Sequence, residues 1–366
     1  MPPHESDLLL APRKASISFA VEPALNNIHS LIMLSQEKYH SGLGEWVTHM
    51  AATLAPERLH INRLVFEGLY SAILPERSWP SFLAYVDYLA AQPPEALRDR
   101  LMRAVLRPCP PETPGAAPLP PPDPAVLLAS AEAYVAHLWN MYPDADIDEP
   151  IEIETHSLLK NPPAMHELII SHMRTMWHEA LATEWQRVLP MVQESVSAFQ
   201  QLDLGGLSTL EAARTVTGQD LSEKWEQAVT QAGRVVFVPS AHIGPYVGKF
   251  KGEKTLWMLF GARLPAGAQG GSSALSRSDL LVRLGALTDD TRLLILGLLS
   301  QHEELCAQDI IARLDLSQLA ASRHLRQLSA TGYLIERRRD GAKCYSLNRD
   351  RIDDTFRALG HYLTKP

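Results

Sequence analysis

Apolar positions along this chain follow two rhythms. The commoner has a period of three to four residues, as in a helix packed by one face. Trp46, Met50 and Leu54 mark one such stripe, and Leu64, Leu69 and Ile73 a second. Phe82, Val86 and Leu89 follow, then Leu97, Leu101 and Val105. Further helices are predicted over 23–35, 125–141, much of 164–203 (kinked at Pro190), 209–216 and 220–231. The rarer rhythm is that of strands. Ile17, Phe19 and Val21 alternate along 16–21, and 234–239 and 255–260 are short apolar runs with the character of buried sheet. The last two are expected to pair as a strand-loop-strand hairpin.

Near the C-terminus the pattern becomes more specific. Leu280, Leu281, Leu284 and Leu287 predict a helix from 279, and Thr288 is read as the cap of a second, with Asp289 and Asp290 complementing its dipole. In the stretch 308–328, Ile310, Ile311 and Leu314 have helical spacing, Asp315-Leu316 is a short connection, and Ser317 supplies an N-cap oxygen. Ala321, Leu325 and Leu328 then form one buried stripe, while Leu319, Ser322, Arg323 and Arg326 point the opposite way and Gln318 stands exposed at the N-terminal end. Two short helices in tandem, the second presenting Gln, Ser and Arg, describe a helix-turn-helix of the kind that reads DNA. The alternative is an ordinary helical hairpin with a solvated basic face.

The residues after 328 favour the first reading. Gly332 is a natural helix stop. Residues 333–339 and 342–347 read as two strands joined by Asp340-Gly341, a two-residue type I′ turn signal. From Arg323 to Arg351 there are eight Lys or Arg against three acidic residues, a net +5 in a chain of net charge −8. A basic patch on an acidic protein, placed where a wing belongs, is an electrostatic footprint for phosphate. Ile352, Phe356 and Leu359 end the chain with one more amphipathic helix. The predicted class is mainly α, with an N-terminal α+β domain, mostly helical with a small sheet, and a C-terminal winged helix-turn-helix.

Ala286-Leu-Thr-Asp-Asp-Thr-Arg-Leu-Leu-Ile-Leu296, Glu304-Leu-Cys306, Leu316-Ser-Gln318, Ser322-Arg-His-Leu325, Gly332-Tyr-Leu334 and the basic hairpin together resemble the ArsR-type bacterial transcriptional repressors. The resemblance covers 279–363, about a quarter of the chain. It implies a winged helix-turn-helix that binds double-stranded operator DNA as a homodimer, its first and last helices packed on the dimer mate, although packing within one chain also accounts for their apolar faces. The best-known members of the family release DNA when a metal or small molecule binds. In that arrangement Arg337, Arg338, Arg339, Lys343 and Tyr345 are the expected phosphate contacts, which position without specifying sequence. Ser317, Gln318, Ser322, Arg323 and Arg326 are the expected reading face, with Arg suited to guanine and Gln to adenine. Leu319, where the family usually has a small polar residue, is placed against a thymine methyl or simply in solvent. His324, at the edge of the buried stripe, is read as either a phosphate contact or a structural residue. The chain departs from the family's metal sensors: a Cys-x-Cys pair is reduced to Cys306-Ala307-Gln308, and the last helix has Asp353 and His361 but lacks the full zinc constellation. One thiolate does not make a tetrahedral site, so no metal or other cofactor is expected.

Composition bounds the remainder. At 366 residues, with 46% hydrophobic and 21% charged, two or more soluble domains are expected. The division read from the sequence is a tail over 1–15, a domain over 16–265, a Gly, Ala and Ser-rich linker over 266–278, and the winged helix over 279–366. Nine prolines within 108–124 predict an extended loop inside the first domain. The residues before 272 carry about −10, against +2 for the rest, which favours a DNA-binding role for the second part only. No membrane association and no export signal are read, and three scattered cysteines (109, 306, 344) fit a reducing cytoplasm. Cys306 and Cys344 are read as buried and inert sooner than as redox sensors. His166, His172 and His178 recur every six residues, turn about 240° per step on a helix, and cannot share a metal, so they read as surface or half-buried. Gly244 and Gly248-Lys249 are one residue short of a phosphate loop, with Phe250 where Ser or Thr belongs. No catalytic residue stands out. The long N-terminal part is left as a sensor for a small molecule or partner, with an interaction scaffold or an enzymatic domain as alternatives.

Overall fold

The computed structural model of the chain describes residues 15–107, 122–142, 147–219, 221, 223–265, 277–339 and 342–364. Most of the tail, most of the proline-rich stretch with Cys109, most of the linker, and the Asp340-Gly341 turn lie outside the described residues. The chain divides into two compact units, Glu22–Pro190 and Met191–Pro366 with Met1–Val21. The division falls inside the helix Ala182–Phe199, at Pro190. The sheet that precedes the linker and the winged helix that follows it therefore belong to one unit.

The unit Glu22–Pro190 is helical. At its centre lies Pro23–Ser35, every residue of which from Ala24 on is buried. A helix surrounded on all sides must bury its polar groups too, and each needs a partner. Asn62, fully buried, supplies several: its amide nitrogen donates to Leu31 O at 2.9 Å and Ser35 Oγ at 2.8 Å, and its Oδ1 meets His172 Nε2 at 3.1 Å. His172 is thus an interior residue, correcting its expected surface or half-buried place. Two π turns, Leu64–Gly68 and Trp177–Leu181, interrupt the neighbouring helices. The helix Glu149–Leu159, capped by Asp148, has no counterpart in the sequence reading.

The second unit starts from four strands, β1 (Ser16–Phe19), β2 (Arg234–Ser240), β3 (Gly248–Lys251) and β4 (Thr255–Gly261), in the order β1-β2-β4-β3. β2 pairs with β4 in parallel, which corrects the expected hairpin. The reason is β3. The connecting segment contains a strand of its own, which turns at Gly252, whose N–H reaches Thr255 O at 2.8 Å, and runs antiparallel to β4. Val235, Phe237, Leu256, Met258 and Phe260 of this sheet pack with Phe199, Ala213, Val216 and Val229 from three helices into one core.

The same unit continues into the helices Arg277–Ala286, Asp290–Ser300, Ala307–Leu314, Gln318–Ala330 and Arg349–Thr364, with a second sheet of β5 (Leu305–Cys306), β6 (Leu334–Arg339) and β7 (Ala342–Leu347) in the order β5-β7-β6. This is a winged helix-turn-helix. Ile295, Leu299, Ile310, Leu325, Leu328 and Tyr333 form its core. Among the described residues no helix is long and apolar enough to cross a membrane.

Candidate nucleic-acid interface

The reading helix Gln318–Ala330 begins where its cap predicts. Ser317 has extended backbone and its hydroxyl accepts from Ala320 N at 3.2 Å, satisfying one of the four orphan amides of the first turn. The connection before it turns through Asp315 at φ 49°, and Gly332 at φ 81° ends the helix in the left-handed conformation. Ala321, Leu325 and Leu328 are buried, so Ser317, Gln318, Leu319, Ser322 and Arg326 are exposed on the far side. Arg323 is half-buried, and its Nε is enclosed with no hydrogen-bond partner among the described residues.

Two of the sequence-predicted contacts do not face outward. His324 is only 6% exposed, with Nδ1 3.5 Å from Asp289 Oδ1. Burial holds its pKa below the ordinary histidine value, Arg292 and Arg323 push the same way, and Asp289 opposes them. Of its two expected roles, phosphate contact or structural residue, an enclosed imidazole fits the structural one. Tyr345 is 5% exposed in the core beneath the wing, and burial pushes its hydroxyl pKa up. Its expected phosphate contact is corrected, since so little of the residue reaches the surface.

Support for the reading helix comes from its neighbour. Asp289, not Thr288, is the N-cap of Asp290–Ser300, accepting from Arg292 N at 3.0 Å; Thr288 Oγ1 donates back to Gly285 O at 2.9 Å. Arg292, itself buried, donates from Nε to Ala286 O at 2.6 Å and from Nη2 to Gly285 O at 3.0 Å, closing the C-terminus of the preceding helix. Sequence reasoning misses Arg292 because nothing in its spacing separates it from a surface arginine.

The wing presents Arg337, Arg338 and Arg339 exposed on β6, with Lys343 exposed on β7 and paired with Glu336 at 3.0 Å across the ladder. Cys306 on β5 is the register partner of Cys344 on β7, and the two form a disulfide. This corrects the reading of these cysteines as unpaired: residues 38 apart in sequence are brought face to face by the sheet. The thiol expected as the remnant of a metal pair is thereby engaged. Tyr333 Oη donates to Arg283 O at 3.1 Å and lies 3.2 Å from Thr355 Oγ1, tying the first and last helices of the winged helix to the foot of β6.

Residues 289–336 match the family model described as bacterial regulatory protein, arsR family. The arsenical resistance operon repressor of Escherichia coli K12 is 48% identical over 52 residues, which cover 14% of this chain and 44% of that protein. The arsenical resistance operon repressor of Staphylococcus aureus is 38% identical over 86 residues, 23% of this chain and 81% of that one. The chain belongs to the ArsR family. A crystal structure of an ArsR family transcriptional regulator superposes at a TM-score of 0.23 with 16% identity, covering 25% of this chain and 99% of the other. The chain spans less than half the length of the first of these relatives. The ArsR likeness covers a quarter of the chain or less.

Proposed function

We propose that this ArsR-family chain represses transcription by binding double-stranded operator DNA as a homodimer in the cytoplasm, and that its long N-terminal part senses a small-molecule effector. One observation carries the DNA reading: a capped helix exposes Ser317, Gln318, Leu319, Ser322 and Arg326 beside a wing exposing three consecutive arginines. The helix has the dimensions to enter a major groove, where Gln318, Ser322, Arg323 and Arg326 read base edges, while Arg337, Arg338, Arg339 and Lys343 hold phosphates. Repression is carried over from the names of the relatives. The location rests on the DNA target, since the paired cysteines no longer speak for a reducing compartment.

The homodimer is supported by apolar side chains left in solvent on the first and last helices of the winged helix, Leu281, Phe356 and Leu363 among them. One winged helix contacts few base pairs, and a two-fold pair on an inverted repeat doubles them. The test is a competition titration of the full chain on its own upstream DNA against random duplex, across a range of salt. Specific binding with a steep salt slope supports the reading. Binding never above that to random DNA removes the specific regulator from consideration and leaves an interaction scaffold as the better account.

A further inference from the structure

Beyond the DNA surface, the unit formed by Met191–Pro366 with Met1–Val21 contains a cleft of about 250 Å³ between its four-stranded sheet and its winged helix. It lies just past the C-terminal ends of the parallel strands β2 and β4, the place where open parallel sheets characteristically take ligands. Three arginines from three separate elements line it, Arg263 after β4, Arg283 on the first helix of the winged helix and Arg351 on the last, and among the described residues no carboxylate does. Phe199, Phe260, Leu202 and Val282 supply apolar wall. Close packing shapes it: a Cβ on Gly261 would lie 2.8 Å from Gly244 O. We propose that this cleft binds a small organic anion, a carboxylate on a compact apolar body, and that this anion is the effector of the DNA-binding surface. The effector role rests on the regulator reading above; the binding does not.

The residues also provide the coupling. Arg263 Nη2 donates to Val216 O at 2.6 Å and Arg351 Nη2 to Gly218 O at 2.7 Å, so both guanidinium groups sit on carbonyls at the end of the helix Thr209–Thr217. Cations suit a helix C-terminus, but a carboxylate is a far stronger acceptor than a carbonyl, and a guanidinium has five donors in a fork matched to it. Gln219, next in the chain, donates to Pro245 O and, at 3.0 Å, to Ala330 O, the last residue of the reading helix. Arg351 packs against Gly332, the stop of that helix. An anion that draws Arg263 and Arg351 off their carbonyls therefore acts on the segment that clasps the C-terminal end of the reading helix. By linkage, whatever that anion does to DNA affinity, DNA does to anion affinity. The volume lies just below the roughly 300–1,000 Å³ usual for ligand pockets, which sets the size of the body at about that of one ring.

Titration calorimetry of the full chain with benzoate, its neutral counterpart benzamide, and inorganic phosphate tests the site. Saturable binding of one benzoate per chain, with benzamide about tenfold weaker or worse, is the expected result. Arg351→Gln and Arg263→Gln each lower benzoate affinity about tenfold, and Arg351→Lys, which keeps the charge but loses the fork, falls between. Equal binding of benzoate and benzamide, no saturable binding of benzoate, or variants that bind as the parent overturn the anion site. Phosphate binding as tightly as benzoate overturns the organic body. In a parallel DNA titration, benzoate shifts affinity in the parent and not in Arg351→Gln; no shift in the parent overturns the effector role alone. Failure of every DNA titration counts against the regulator reading, and calorimetry still decides the site.

Discussion

At the scale of single residues, the reading helix separates two neighbours in sequence by their surroundings. Arg323 is half-buried at the border of the exposed face, and His324 is enclosed beside Asp289. Arg323→Ala is expected to reduce discrimination between operator and random duplex by about 1–3 kcal/mol in a competition titration, the worth of one bidentate base contact. Unchanged discrimination would mean that Arg323 positions and does not read. Protonation supplies a second residue-scale prediction, in the unit Glu22–Pro190. Burial lowers the His172 pKa to about 4, so its neutral form belongs to the fold: its contribution is present above the ordinary histidine value near 6.5 and is lost as pH falls toward 4. Burial, with Glu67 and Asp148 nearby, raises Glu152 to about 7 despite its hydrogen bond with Tyr134. Its contribution has the opposite sign, being greatest when the carboxyl is protonated and lost as pH rises from the ordinary glutamate range to 7. The two slopes offset each other between about pH 5 and 6.5. Glu152→Gln removes one of them, so its Tm should climb more steeply over that interval than the parent's; parallel Tm curves would show that Glu152 titrates normally.

At the scale of elements, how much the sequence reveals depends on whether the deciding partner is local. Ser317, Gly332 and both wing strands can be read directly, because a cap, a left-handed stop and a ladder of alternating residues are set within a few positions of one another. The cap of Asp290–Ser300 lies one residue later than the sequence suggests, since Thr288 and Asp289 are both good caps and only the accepted Arg292 N–H distinguishes them. Parallel pairing of β2 with β4, the burial of His172 and the Cys306–Cys344 bridge are out of reach, because each depends on residues far apart in sequence. The same holds for the arginine-lined cleft, which is assembled from several separate stretches. The bridge makes its own prediction. It joins the N-cap of Ala307–Leu314 to the wing strand β7 and closes a loop of 38 residues, a constraint worth about 2–4 kcal/mol. Reduction by dithiothreitol, or Cys344→Ser, should lower the unfolding midpoint of the second unit and leave the helical unit unaffected; a midpoint insensitive to reductant would refute the bridge as a stabilising element. On the neighbouring strand, Arg338→Gln should weaken operator and random DNA alike and reduce the salt slope by about one counterion, readable from log K against log salt. A selective loss for operator with an unchanged slope would move Arg338 from phosphate to base contact.

At the scale of the whole molecule, one chain leaves apolar side chains uncovered. Phe356 is 54% exposed and Leu363 is 70% exposed on the last helix, and Leu281 is 57% exposed on the first helix of the winged helix. Isolated exposed hydrophobics need no explanation, but several on two helices packed against each other make a patch with a use. The inner faces of these helices are already occupied: Tyr333 bonds to both, and Ala358 and Thr355 are buried. The outer faces can meet the same patch on a second copy, since a two-fold interface is built from one surface used twice. Phe356→Asp and Leu363→Asp place carboxylates in that patch without touching the core, the reading helix or the wing. The double variant should sediment as a monomer where the parent sediments as a dimer, with its thermal unfolding otherwise preserved. Its affinity for an inverted repeat should fall to that for a single half-site, because two linked reading helices gain from each other only while the interface holds. A variant that stays dimeric would place the interface elsewhere in the 366 residues, and the long N-terminal part would be the next surface to test.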